Sequence, residues 1–371
     1  MLVKFAVKNF RGFPERLEWD LSHPSNYGFN SFAVRDGVVH NGIIYGKNGS
    51  GKTALSLAVF DIVNHLTQKH RLHGYYDHFA SVGNSAAAVE FEYEFRLAGQ
   101  TLRYAYSKTQ GGRLSGERLE ADGVMLFDRQ GKSLLIDGAA FPMGEAARGA
   151  LMQSDNQPSL VNFLLASYPL AADNCLIRLR NFVEGMLWLH HADAQHFIGL
   201  EGGAENPEEY IVRNGLTDAF RQFLLEVSGQ EFRFAGTRSA ERRELCPLLC
   251  EYGKERVAFS TIASAGTRAL TLLFYWMQKM SRATLVFVDE FDAFYHYETG
   301  YEVCRRLFAL DCQLFMTAHS TFLLTNDLLR PDCNFILHNS TIRALCDCTT
   351  KELRIGHNIE KIYRGGGFGG I

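Results

Sequence analysis

The residues best suited to chemistry stand in three separated stretches. The first is Gly46-Lys47-Asn48-Gly49-Ser50-Gly51-Lys52-Thr53. Its glycines let backbone amides wrap a phosphate chain. Lys52 supplies a cation for β- and γ-phosphate oxygens, and Thr53 supplies a hydroxyl for a magnesium ion. The loop follows a strand and opens a helix, whose N-terminus adds its positive end. Gly46, Asn48, Gly49, Ser50, Gly51, Lys52 and Thr53 are therefore the expected ATP contacts. The second stretch, Leu285-Val286-Phe287-Val288-Asp289-Glu290, is an apolar run ending in two acids. Asp289 suits Mg2+, and Glu290 suits polarising the attacking water, which argues for hydrolysis and not binding alone. The third, Leu314-Phe315-Met316-Thr317-Ala318-His319-Ser320, ends on a histidine able to read the γ-phosphate from the neighbouring strand end. The expected catalytic set is Lys52, Glu290 and His319; the expected metal set is Thr53 and Asp289.

These stretches need elements to hold them. Residues 2–10 alternate as a strand, 38–45 form the strand before the glycine loop, and 54–65 place Leu55, Ala58, Val59 and Ile62 on one helix face. From 87 to 136 the period is two, with Val89, Phe91, Tyr93 and Phe95 alternating against Glu90, Glu92, Glu94 and Arg96. Glycine turns divide this region into an antiparallel meander. The period turns helical over 141–230, where Leu176, Leu179, Phe182, Val183 and Met186 fit a helix face. A strand-like region over 231–259 follows. Then come a helix over 267–280, a strand over 284–289, a helix over 300–310, a strand over 312–317 and a short helix after His319. Apolar runs such as 285–288 fit strands buried on both faces of a parallel sheet, whose carboxyl ends are where ligands sit.

The chain has 371 residues, 46% hydrophobic and 21% charged, with a net charge of -3. That balance is ordinary for a globular protein and excludes a generally basic nucleic-acid coat. No apolar run is long enough to span a membrane, and the first residues do not resemble a signal peptide. The eight cysteines include Cys246-x3-Cys250 and Cys346-x-Cys348, neither with a matching second pair for zinc. Reduced cysteines in a cytoplasmic protein are the expectation. Arg238, Arg242, Arg243, Lys254 and Arg256 are interleaved with Glu241, Glu244 and Glu255, which reads as a solvated face. Tyr75-Tyr76, with His70-Arg71 and His73, reads as a surface loop.

Ser264-Ala265-Gly266-Thr267-Arg268 lies before a helix, between the glycine loop and the acidic strand. Ser264 suits a helix cap. The segment also resembles the signature motif of ATP-binding-cassette ATPases. That resemblance implies an α/β fold: a P-loop core with an antiparallel β-meander lobe and an inserted helical lobe. It also implies a head-to-tail homodimer, or a higher homo-oligomer built through the same composite ATP sites, in which Ser264 and Gly266 reach the γ-phosphate held by the partner. Further stretches resemble the SMC, RecF and OLD-like branch. These are Lys8-Asn9-Phe10-Arg11-Gly12-Phe13, Tyr104-x-Tyr106, Glu117-Arg118-Leu119, Leu126-Phe127-Asp128-Arg129, Asp289-Glu290-Phe291-Asp292 with His296, and the end from Ile362-Tyr363-Arg364 to Gly369-Gly370-Ile371. Two features depart from the branch. The glutamine that couples nucleotide to the helical lobe has only Gln153 and Gln157 as candidates. The proline usual near Tyr295-His296 is absent, since Tyr297 follows.

The resulting expectation is one composite ATPase domain. Residues 1–140 carry the phosphate loop and β lobe, 141–260 the helical lobe, and 261–371 the core with signature, acidic pair and His319. Between Thr53 and Ser264 there is no heptad array, so a long coiled-coil arm is not expected. Too few residues follow His319 for a nuclease domain, so an effector would be a separate nuclease or toxin chain. The OLD-like resemblance implies a role in defence against phage. The alternative is a RecF-like ATPase acting on DNA, with nucleic acid as partner. A transporter subunit is disfavoured by the signature and by Asn9-Phe10-Arg11-Gly12.

Overall fold

The computed structural model describes residues 1–141, 143–145, 148, 149, 151, 158–191, 196–199, 205–235 and 247–368. The chain opens with β1 (Leu2–Lys8) and β2 (Leu17–Asp20). The short pair β3 (Val34–Arg35) and β4 (Val38–Val39) follows, and then β5 (Asn41–Tyr45) and helix α1 (Lys52–Leu66). The meander is β6 (Val89–Leu97), β7 (Gln100–Lys108), β8 (Leu114–Ala121), β9 (Val124–Gln130) and β10 (Ser133–Ile136). Helices α2 (Leu160–Ser167) and α3 (Cys175–Glu184) lead to β11 (Met186–His190) and β12 (Phe197–Ile198). Helices α4 (Pro207–Arg213) and α5 (Thr217–Ser228) precede the hairpin β13 (Leu249–Tyr252) and β14 (Glu255–Ala258). The last part holds α6 (Phe259–Ile262), α7 (Ala265–Met280), β15 (Leu285–Asp289), α8 (Tyr297–Phe308), β16 (Gln313–Ala318), β17 (Asn334–His338), β18 (Thr341–Ala344) and α9 (Ile359–Arg364).

Two seven-stranded sheets enclose α1. One has the order β10-β9-β8-β7-β6-β1-β2 and is antiparallel throughout. The other has the order β12-β11-β15-β16-β5-β17-β18; its five central strands run parallel and its two edge strands antiparallel. Helix α1 is apolar nearly all round because it has a sheet on each side. Towards the antiparallel sheet, the Tyr93 hydroxyl donates to the Ala58 carbonyl at 3.0 Å. Towards the parallel sheet, the Trp188 indole N–H donates to Ser56 Oγ at 2.9 Å, and the rings of Phe60 and Phe287 meet edge to face. Beyond α1 the sheets touch directly. Trp19 packs on Phe315 and Phe335, and the buried Gln313 amide bonds to both main-chain groups of Leu2 and to the Val39 carbonyl.

The meander follows the alternation closely: Val89, Phe91, Tyr93, Phe95 and Leu97 face inward. The helical reading of 176–186 fails at its end. Helix α3 stops at Glu184, and Met186 begins a strand. A Cβ on Gly185 would lie 2.6 Å from Thr284, whose hydroxyl donates to the Phe182 carbonyl at 2.6 Å and whose amide donates to the Gly185 carbonyl at 2.9 Å. These contacts turn the chain into β11. Leu187, Trp188 and Leu189 are all buried, so no period of two marks the strand. The segment 141–260 is accordingly not wholly helical and supplies a strand to the parallel sheet. Strands β2, β17 and β18 are likewise absent from the sequence reading. Tyr75 is no surface residue: it is buried, with its hydroxyl donating to the Leu57 carbonyl at 2.9 Å.

Gln153, Gln157, Arg238, Arg242, Arg243, Glu241, Glu244, Cys246 and the terminal Gly369-Gly370-Ile371 lie outside the described residues. The described cysteines are free thiols. No helix among the described residues is long and apolar enough to cross a membrane.

Candidate active site at the carboxyl edge of the parallel sheet

Adjacent parallel strands β11, β15, β16 and β5 end side by side on one edge; the residues that follow β5, β15 and β16 line the site, and β11 brings its last residue, His190, beside it. The loop after β5 is shaped by glycines. Gly49 and Gly51 have φ of 79° and 98°, a left-handed region costly for side-chain-bearing residues. A Cβ on Gly51 would also lie 2.9 Å from the Phe13 ring, and one on Gly46 would lie 2.7 Å from the Leu337 carbonyl. Gly51 occupies the N-cap of α1 without a side-chain bond to the helix amides, so the first turn presents them to a ligand. Lys52 is buried, and its ammonium donates to the carbonyls of Gly46 at 2.6 Å and Lys47 at 3.3 Å. Burial lowers its pKa, while Asp289, Asp292 and Glu290 act in the opposite sense.

The acidic pair is held by a residue the sequence reading passed over. The Thr317 hydroxyl donates to Asp289 Oδ1 at 2.6 Å and accepts from the Glu290 amide at 2.8 Å. The Phe291 amide donates to the Thr317 carbonyl at 3.1 Å. Together these hold Glu290 at a φ of 53°, unusual for a side-chain-bearing residue and often tied to function. Asp289 is fully buried; burial raises its carboxyl pKa, with the hydroxyls of Thr317 and the neighbouring Thr53 opposing that rise. Its second oxygen, Oδ2, is buried with no hydrogen-bond partner. A buried carboxylate oxygen left open, on a residue that Thr53 neighbours, fits Mg2+. Among the described residues no three His, Cys, Asp or Glu side chains form a metal cage. Mg2+ bound with a nucleotide takes most ligands from water and phosphate and needs no such cage.

Asn48, Gly49, Ser50, Gly51, Lys52, Thr53, Glu290 and His319 line one cavity of about 390 Å³. The Asp292 carboxylate accepts the amides of His319 and Ser320 and so fixes the turn after β16. His319 Nε2 then lies 4.0 Å from Glu290 Oε1. Glu290 Oε2 is 3.1 Å from Nε2 of His190, the last residue of β11. The sequence carries no signal for that histidine, because the apolar run Met186–Leu189 fits a helix face as well as a strand.

Ser264 and Gly266 do not line the cavity. Ser264 caps α7, with its Oγ accepting the Thr267 amide at 3.1 Å. Thr267 Oγ1 in turn donates to Gln230 Oε1 at 2.9 Å. Gly266 sits against the Phe294 carbonyl, 3.2 Å from where a Cβ would be.

No family model matches the chain, and no curated protein does. It is similar to several solved structures. One is the SMC head domain from Thermotoga maritima, with 12% identity, a TM-score of 0.40 and coverage of 92% of this chain and 97% of that one. A second is an SmcHead bound to the C-winged helix domain of ScpA, with 14% identity, a TM-score of 0.45 and coverage of 92% and 96%. A third is the recombination mediator protein RecF with ATPrS in the RecFOR pathway, with 13% identity, a TM-score of 0.44 and coverage of 93% and 98%.

Proposed function

We propose that this protein is a Mg2+-dependent ATPase that closes on a second copy of itself when ATP is bound. The observation that carries the reading is the convergence on one cavity of the glycine loop, Glu290 and His319, which lie far apart in sequence. Loop amides and Lys52 hold the phosphates. Thr53 and Asp289 hold Mg2+, which supplies charge neutralisation at the β- and γ-phosphates. Glu290 orients the attacking water, and His319 reads the γ-phosphate. Ser264 and Gly266, at an exposed helix N-terminus, complete the site of the second copy. ATP shifts the open–closed balance only through its greater affinity for the closed pair. The sequence resemblance to OLD-like ATPases extends the reading to a separate nuclease or toxin under its control, acting in phage defence in the cytoplasm.

The test is ATP turnover and sizing of the full chain with and without Mg-ATP, for wild type and Glu290→Gln. Turnover by the wild type, with a dimer accumulating in the variant only with ATP, is the expected result. A variant that hydrolyses at the wild-type rate overturns the assignment of Glu290. ATP-dependent DNA binding with steep salt dependence, and no protein effector, would replace the defence reading with the RecF-like one.

A further inference from the structure

We infer that His190 is a positioning residue for Glu290, holding one carboxylate oxygen so that the other faces the phosphate cavity. The inference rests on the proposed role of Glu290. Strands β11 and β15 pair in parallel with His190 beside Asp289, so His190 stands one strand away from the acid that follows. Its Nε2 is 3.1 Å from Glu290 Oε2, a hydrogen bond in the tautomer that carries the proton on Nε2. Among the described residues, no second hydrogen bond holds the carboxylate of Glu290. Its side chain is 39% exposed, and its nearest other ionisable contact is His319 at 4.0 Å. A glutamate so placed has free side-chain torsions, and ordering them during the reaction costs entropy.

The backbone and the head are thus fixed from opposite sides. Thr317 holds the Glu290 amide from β16, and His190 holds Oε2 from β11. With Oε2 engaged, Oε1 is the oxygen on the side of His319, and both Glu290 and His319 line the phosphate cavity. His190 does not line it. It therefore acts through Glu290. The main chain of His190 is held in turn, with its amide donating to the His196 carbonyl at 2.9 Å. The imidazole consequently projects from a strand already tied on both sides.

The experiment compares His190→Phe, His190→Asn and His190→Gln with wild type and Glu290→Gln, all as full-length chains. Steady-state ATP hydrolysis is measured alongside affinity for a fluorescent mant-ATP probe with Mg2+. Glutamine places an amide N–H near the position of Nε2; phenylalanine lacks a donor and asparagine is too short. Expected are a kcat about 10- to 100-fold lower in His190→Phe and His190→Asn, substantial recovery in His190→Gln, and unchanged mant-ATP affinity in all three. Adding His190→Phe to Glu290→Gln should lower kcat no further. Wild-type kcat in His190→Phe, with Glu290→Gln inactive, overturns the inference and leaves the role of Glu290 standing. Equal losses in all three variants together with weakened mant-ATP binding also overturn it, since that is the signature of a structural residue. Wild-type turnover in Glu290→Gln sinks the parent reading and this inference with it.

Discussion

Two buried carboxylates, one in each sheet, are treated in opposite ways. Glu117 in the meander is saturated. Its oxygens accept the Tyr104 hydroxyl at 2.7 Å, the Ser159 hydroxyl at 2.8 Å, the Arg129 guanidinium at 2.8 Å and the Leu160 amide at 2.7 Å. It ties β7, β8 and β9 to the first turn of α2, where a negative charge also suits the helix dipole. Asp289 in the parallel sheet has one oxygen bonded to Thr317 and the other left open. A buried charge without partners is costly, so it persists where something else meets the cost. The comparison separates a carboxylate with both oxygens bonded from one that keeps an oxygen open, and burial alone does not distinguish them.

On the parallel-sheet side, the sharpest test removes the acid that follows Asp289. Glu290→Gln should lower ATP turnover by about 10²- to 10⁴-fold and leave the urea midpoint within error, as measured by phosphate release and by unfolding. Glu117→Ala should do the reverse. It strands the fully buried Arg129 and costs about 3–5 kcal/mol in unfolding free energy. If Glu117→Ala spares stability, the two carboxylates are not different in kind. Thr317→Val tests the joint between Asp289 and Glu290, since its hydroxyl serves both Asp289 and the Glu290 amide. We expect about 1–3 kcal/mol of lost stability from the unsatisfied groups and a kcat loss larger than any change in KM.

The smallest expected effect concerns pH. His65 on α1 lies 2.8 Å from the Tyr104 hydroxyl, whose proton goes to Glu117, so His65 Nε2 donates. Burial holds the His65 pKa well below its usual value, and the positive charges of Lys108 and Arg129 act the same way. The unfolded chain takes up a proton near pH 6.5 that the folded one refuses. Stability is therefore full above about pH 6.5 and falls as the pH drops below it. Unfolding midpoints at pH 7.5 and 5.5 should differ more for wild type than for His65→Phe. Equal shifts would remove His65 from this network's pH response.

Much of the site was legible because its signals are local. The glycine spacing marks the turn between a strand and a helix, and apolar runs ending in Asp289-Glu290 and His319 mark strand ends. The helix read at 54–65 is observed as Lys52–Leu66, and the meander read over 87–136 runs from Val89 to Ile136. His190 was illegible for a stated reason. Met186–His190 is buried on both faces, so its pattern matches a helix face as well as a strand. Thr317 was visible only as a strand residue, since neither of its side-chain bonds is local.

By itself, the sequence determined which residue types could meet phosphate, Mg2+ and water, because glycine freedom, helix-start amides and adjacent acids act over a few positions. Only the tertiary structure decided which strand stands beside which. That order brings His190 to Glu290, leaves one oxygen of Asp289 open and closes Glu117 with donors from three elements. Such pairings depend on hydrogen bonds and packing between segments far apart in the chain, and no short-range pattern encodes them.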